Sequence, residues 1–294
     1  MTGEPGKAVP FVQESALIAA HETASERYYR LVLESPGVAA RASPGQFVLL
    51  ACRPDDRGET DPLLPRPMAL LGATPQTGRI ELLYYVAGRG TELLRQTAEE
   101  AVTGGRQTRL RLIGPLGNTF KPLAGVDAHV GVAGGSGVAP LAFLFRRWPG
   151  EACGERHLIL GARTRGHLPR PDVVAAPGAQ IHTATDDGSA GFAGHAAAAL
   201  AALLDGSLRG RLTAIYAAGP EAMLREVVSL ARRRDLPARI SLEARMACGV
   251  GVCRGCVVDG RRPHPHTGLH RYAVCQDGPV FDPEELAGDW SAAR

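Results

Sequence analysis

Four cysteines, Cys248, Cys253, Cys256 and Cys275, fall within 28 residues of a 294-residue chain, spaced C-x4-C-x2-C and then a gap of 18 residues. A single loop wraps a 2Fe-2S cluster in this order. Two irons bridged by two sulfides need four thiolates. One loop supplies three of them only if its backbone passes close to the cluster, with amides turned toward the sulfurs. Gly249, Gly251 and Gly255 stand between the cysteines and permit that approach. Zinc also takes four thiolates, but more often from two C-x2-C pairs. The remaining cysteines, Cys52 at the end of an apolar run and Cys153 in a glycine-rich turn, read as ordinary free thiols.

A second chemistry is signalled by HVGVAGGSGVAPL, where an apolar strand runs into Gly134, Gly135 and Gly137 and an apolar helix starts at Val138. Unpaired amides at a helix N-terminus carry partial positive charge and accept a pyrophosphate where no Cβ intervenes. Pro140 suits the first helical turn. One glycine turn serves packing equally well. A second, Ala218-Gly219-Pro220, also follows an apolar strand and would reach the same carboxyl edge of a parallel sheet. Asp186 in TDDGS follows another strand, where it would either bond ribose hydroxyls or form an Asx turn with Asp187.

A third motif, Arg66-Pro67-Met68-Ala69, lies in a β-rich half. It reads either as an edge strand whose proline lacks a donor or as a cofactor strand in which Arg66 presents a planar fork to a diphosphate. Leu83, Tyr84 and Tyr85, then Gly90 and Thr91 at a helix start, supply its context: free amides for phosphate, and in Tyr84 a ring that would stack on a flavin or adenine.

These residues require positioning elements of two kinds. From Pro10 to Ile113 short β-type runs alternate with Pro-, Gly- and Asp-rich turns, which predicts an antiparallel barrel with one helix at TELLRQTAEE. After Pro122 strands alternate with helices, which predicts a doubly wound parallel sheet. From Ala238 an apolar strand leads into the cysteine loop, a segment too short to fold alone without a staple. The expected division is 1–122 for a flavin-binding antiparallel β-barrel, 123–237 for a nucleotide-binding α/β domain and 238–294 for a cluster-binding segment.

The composition is that of a globular protein, with 45% hydrophobic and 21% charged residues. A formal charge of +3 is too balanced for a nucleic-acid-binding stripe. The first residues lack the apolar run of a secretory signal, and no stretch of about 20 apolar residues occurs. The expected address is therefore the cytoplasm, with no membrane partner, and in a reducing compartment clustered cysteines point to metal.

Taken in order, RPMA, YYVAGRGTELL, GGSGVAP, TDDGS, AAGPEAML and SLEARMACGVGVCRGCVV resemble the electron-transfer subunits of type 1B dihydroorotate dehydrogenases, across nearly the whole chain. That family belongs to the ferredoxin-reductase-like flavoproteins. The resemblance implies FAD on Arg66, Pro67, Met68, Ala69, Leu83, Tyr84, Tyr85, Gly90 and Thr91, a 2Fe-2S cluster on the four cysteines, and NADH at the Gly134 turn. It further implies a separate flavin-containing catalytic subunit that oxidises dihydroorotate to orotate in pyrimidine biosynthesis, so no catalytic base is expected in this chain. Three positions depart from the family: Ala69 replaces a hydroxyl residue, Ala218 a cysteine and Tyr85 an arginine. HPHTGLH before Cys275 reads as an inserted surface loop. Arg163 and Arg165 are candidates for a 2′-phosphate, and the resemblance alone favours NADH over NADPH. Met246, Val250 and Val252 are expected to give the cluster a mixed apolar docking face. The alternatives are a related NAD(P)H-dependent reductase serving ferredoxin or an oxygenase, and a regulatory protein with structural zinc.

Overall fold

A computed structural model describes residues 11–54, 61–148, 154–288 and 290. Cys153 lies outside the described residues.

The first half closes into a six-stranded antiparallel barrel of order β1-β2-β5-β4-β3-β6. The strands are β1 (Val12–Thr23), β2 (Tyr28–Glu34), β3 (Phe47–Leu50), β4 (Arg66–Thr74), β5 (Arg79–Tyr85) and β6 (Arg109–Leu116). A one-turn helix α1 (Pro36–Ala39) follows β2, and α2 (Arg89–Thr103) follows β5. Alternating positions such as Leu31, Leu33, Ile80 and Leu82 fill the barrel, and α2 closes one end with Leu94, Ala98 and Ala101. The expected helix therefore exists and runs beyond TELLRQTAEE at both ends.

The β4–β5 pairing begins at Leu70↔Leu82, while Arg66–Ala69 pair with β3 only and Leu83–Tyr85 with β2 only. The two strands splay, and their facing backbone edges line a slot. Pro67 sits on that open edge, where its missing donor disturbs no ladder.

The second half is a seven-stranded sheet of order β10-β9-β8-β7-β11-β12-β15. Its elements in chain order are β7 (Ala128–Gly134), α3 (Val138–Arg146), β8 (Glu155–Ala162), α4 (Pro171–Val174), β9 (Gln180–Thr185), β10 (Phe192–Ala193), α5 (Ala196–Asp205), β11 (Thr213–Ala218), α6 (Glu221–Arg233) and β12 (Ala238–Ser241). The strands β7 to β12 pair in parallel. The central strands β7 and β11 are buried along their whole length and read as nearly unbroken apolar runs, whereas β10 at the edge is exposed and β9 beside it is exposed at its start. One face packs on α5 and α6, the other on α3, which also buries Phe143 in the barrel core.

The cysteine loop carries a two-stranded sheet, β13 (Val257–Asp259) with β14 (Arg271–Ala273). The chain then returns through β15 (Val280–Phe281), antiparallel to β12. The strand expected to open the cluster segment is thus a member of the nucleotide sheet, and β15 adds a second tie. Cys256, Val258, Val274 and Cys275 join the same core as α5 and α6. This docking is the staple that so short a segment needs.

Candidate functional site

The splayed edges of β4 and β5 open onto a cavity of about 270 Å³ between barrel and sheet. Arg66, Pro67, Met68, Ala69, Leu83, Tyr84, Tyr85 and Thr91 line it from the barrel, and Gly137 and Gly219 from the sheet. Gly90 stands behind Arg66: a Cβ there would lie 2.5 Å from Arg66 Nη2. The missing side chain lets the guanidinium, which also donates to the Leu64 carbonyl, rest beside the N-terminus of α2, so a cation and the first helix amides lie together. The Thr91 hydroxyl shapes the turn, accepting from the Ala87 amide at 2.8 Å and donating to the Gly88 carbonyl at 3.0 Å.

Tyr84 corrects the expectation that its ring would stack on a cofactor. The ring is 3% exposed and packs against Tyr29 at 5.7 Å, and its hydroxyl bonds His21 Nε2 at 2.9 Å. Period-2 alternation turns it toward the core beneath α2, and Leu83 and Tyr85 to the opposite face.

A second cavity, about 570 Å³, opens at the carboxyl edge of the sheet and is lined by Gly134, Gly135, Ser136, Arg163 and Asp186, among others. The two glycine turns pack backbone on backbone: a Cβ on Gly137 would lie 2.0 Å from the Ala218 carbonyl oxygen. Packing and ligand access are thus both reasons for these glycines. In TDDGS the two aspartates divide the roles. Asp187 makes the Asx turn, accepting from the Ser189 amide at 3.0 Å and its hydroxyl at 2.6 Å. Asp186 lines the cavity. Likewise Arg165 is committed to the Ser189 carbonyl at 2.7 Å, whereas Arg163 faces the cavity.

Tyr85, Ser136 and Glu243 line both cavities, and Ser136 Oγ donates to Glu243 Oε1 at 2.8 Å. Sequence reading missed Ser136 and Glu243. Ser136 lies inside the glycine motif, but nothing in the sequence says that Glu243, from the end of β12, meets it.

On its far side the first cavity reaches the cysteine loop through Met246, two residues before Cys248, and Pro279, four residues after Cys275. Gly249 lies against Leu49 of β3, where a Cβ would come within 2.6 Å. The thiols associate two by two, Cys248 with Cys253 and Cys256 with Cys275. Each receives a backbone amide: Cys253 N to Cys248 Sγ at 3.3 Å, Gly255 N to Cys253 Sγ at 3.4 Å, Cys275 N to Cys256 Sγ at 3.5 Å and Gly251 N to Cys275 Sγ at 3.2 Å. Gly251 donates from a left-handed conformation, φ +81°.

Burial pushes the Cys248 thiol up, but amide hydrogen bonds from Cys253, Val250 and Val252 outweigh it and bring it down to about 7. A hydrogen bond from the Cys275 thiol lowers Cys256 to about 6, and the same contact together with burial raises Cys275. Among the described residues no three His, Cys, Asp or Glu side chains converge on one point. Four thiols carried on one loop, each met by a backbone amide, are a donor set that would hold a 2Fe-2S cluster. Cys256 and Cys275 are buried, Cys248 is half-buried and Cys253 is exposed, so one pair faces inward and one outward.

The histidine loop lies at the surface as expected, exposed from Pro265 to His270, with one anchor. His264 is buried and bonds Asp277 at 3.0 Å, and Asp277 also accepts from the Ala273 amide at 2.6 Å, so the loop is anchored to the turn that carries Cys275. The expected docking face changes: Met246 lines the first cavity and Val250 packs on the core, leaving Val252, 80% exposed, as the outward apolar residue with Leu269, 58% exposed.

The iron–sulfur cluster binding domain of dihydroorotate dehydrogenase B matches residues 243–287. Over 273 residues the chain is 35% identical to the dihydroorotate dehydrogenase B (NAD(+)) electron transfer subunit of Desulforamulus reducens, covering 92% of this chain and 96% of that one. This chain belongs to that family of electron transfer subunits. A further dihydroorotate dehydrogenase B electron transfer subunit, from Shouchella clausii, is 36% identical over 88% of this chain and 92% of its own length. Among solved structures, an NADH-dependent reduced ferredoxin-NADP oxidoreductase studied for flavin-based electron bifurcation superposes with a TM-score of 0.73. It shares 27% identity, covering 94% of this chain and 90% of the other. A ferredoxin reductase of carbazole 1,9a-dioxygenase shares the fold, with a TM-score of 0.62 at 23% identity, covering 79% of this chain and 68% of the other.

Proposed function

We propose that this dihydroorotate dehydrogenase B electron transfer subunit passes electrons between NADH and a flavin-containing catalytic subunit, which interconverts dihydroorotate and orotate. FAD occupies the cavity at the splayed barrel strands, and a 2Fe-2S cluster is held by Cys248, Cys253, Cys256 and Cys275. One observation carries this reading: the sheet-edge cavity, the barrel cavity and the cysteine loop adjoin in series, through Tyr85, Ser136 and Glu243 at one contact and Met246 and Pro279 at the other.

Bound FAD would supply the exchange between two-electron hydride chemistry and one-electron transfer. The chain's own residues bind and orient. Arg66 and the α2 amides hold the FAD diphosphate, and the open edges of β4 and β5 offer backbone groups to the ring system. The Gly134–Gly137 turn receives the pyrophosphate of NADH, Asp186 its adenosine ribose, and Gly219 closes the floor between the cavities. Ala69 and Ala218 supply no hydroxyl or thiol, and Tyr85, Ser136 and Glu243 are the polar side chains that line both cavities. The outward face at Val252, Cys253 and Leu269 is the docking surface for the catalytic subunit. The units 1–122, 123–237 and 238–294 divide these roles, with β12 and β15 fastening the third to the second.

Among the described residues no helix is long and apolar enough to cross a membrane. We place the protein in the cytoplasm, where four thiols can remain reduced for iron.

Anaerobic absorbance tests the reading. Purified protein is expected to show flavin and iron–sulfur bands that NADH bleaches. Colourless, zinc-containing protein would overturn it. Reconstituted with its catalytic subunit, the complex is expected to oxidise NADH in an orotate-dependent manner.

A further inference from the structure

We infer that Arg27, on the turn between β1 and β2, is the cation that holds the diphosphate of the nicotinamide dinucleotide, so that the barrel supplies the charge and the Gly134–Gly137 turn the amides. The inference rests on the reading that the sheet-edge cavity takes this ligand.

Four observations support it. Arg27 lines the sheet-edge cavity with Gly134, Gly135 and Ser136, but does not line the barrel cavity, whose cation is Arg66. Its guanidinium lies over the Tyr85 ring, with Cζ 4.5 Å from the centroid. Tyr85 is in turn held edge-on by Tyr28, 5.8 Å away at 81°, so the cation rests on a two-ring shelf. Finally, Arg27 Nε is buried and lacks a hydrogen-bond partner. A buried donor without an acceptor is costly, and a ligand oxygen that meets it recovers that cost.

Neighbouring charges fix which part of the ligand fits. Arg163 follows β8 and Asp186 follows β9, one and two strands away from the glycine turn after β7, which places them at the adenosine end. Glu243, bonded to Ser136, occupies the end shared with the barrel cavity and repels phosphate. Arg27 lines the same cavity as Gly134, Gly135 and Ser136, from the barrel side. Tyr85, at the end of β5, is the surface on which Arg27 lies.

Calorimetric titration of the FAD-loaded protein with ADP-ribose and with AMP tests this without turnover. Arg27→Ala is expected to weaken ADP-ribose by about tenfold or more, to leave AMP within about twofold, and to leave FAD content unchanged. Arg27→Lys is expected to recover part of the loss as a point charge. ADP-ribose affinity within about twofold of wild type in Arg27→Ala, equal weakening of AMP, or loss of FAD would each overturn the assignment. If wild-type protein itself does not bind ADP-ribose, the reading of the cavity fails, and the role of Arg27 with it. Binding by wild type with no effect of Arg27→Ala removes the arginine alone.

Discussion

The cysteine loop and the paired cavities are built in opposite ways. All four thiols come from one stretch of 28 residues, and the amides that meet them belong to the same stretch. The cavities draw on residues as distant as Tyr85, Ser136 and Glu243, joined only where barrel and sheet meet. A local site fails when a ligand is lost. A site made at an interface also fails when the interface shifts by a fraction of an ångström, because close-packed interiors transmit strain.

The largest effect expected from this contrast is in the loop. Cys256→Ser, at a buried ligand position, should abolish iron content and the cluster's visible absorbance while FAD remains bound. Concurrent loss of FAD would show that the loop and the barrel cavity are not separable. Next comes Arg66→Ala, which removes a charge-assisted contact worth about 1.5–3 kcal/mol and should weaken FAD about 10- to 100-fold by fluorescence titration.

A smaller effect is expected of Gly137→Ala. Its Cβ would stand 2.0 Å from the Ala218 carbonyl oxygen, so one of the two turns must move. The expected cost is about 1–3 kcal/mol in denaturant unfolding, with weaker NADH binding. Gly88→Ala, where a Cβ meets nothing within 4 Å, is expected to stay within about 0.5 kcal/mol. Equal effects from the two would contradict the backbone-on-backbone account of the glycine turns.

The smallest effect is a pH dependence at the opposite edge of the sheet. Burial holds the pKa values of His157 and His182 below their ordinary value, and His157 Nδ1 lies 3.0 Å from His182 Nε2. Folding therefore favours the neutral rings. Their contribution is present above about pH 6.5 and is lost as pH falls through the depressed folded values. Tm should decline on going from pH 7 to pH 5, and His182→Gln should flatten the decline.

Much of this was legible in the residues. Cys248-x4-Cys253-x2-Cys256 with its glycines specifies a cluster loop because thiolate ligands are few and their spacing is set by iron. Each strand-glycine-helix junction in the second half is a local event with a local signal. The misreadings were of side-chain direction and of distance. Tyr84 and Tyr85 are neighbours in sequence, and only the pairing of β5 with β2 decides which ring enters the core. The strand Ala238–Ser241 reads as the start of a new unit because pairing with β11 leaves no trace in so short a segment.

The sequence alone therefore determined the clustered thiols, the glycine turns and the two architectures that hold them. Those depend on residue type and short-range spacing. Only the tertiary structure decided that the three sites adjoin in series, that Glu243 meets Ser136 across 107 positions, and that Arg27 lies on Tyr85 beside the glycine turn. Such contacts arise from the packing of barrel on sheet. Packing at that interface is set by the sum of many apolar surfaces and by no single motif.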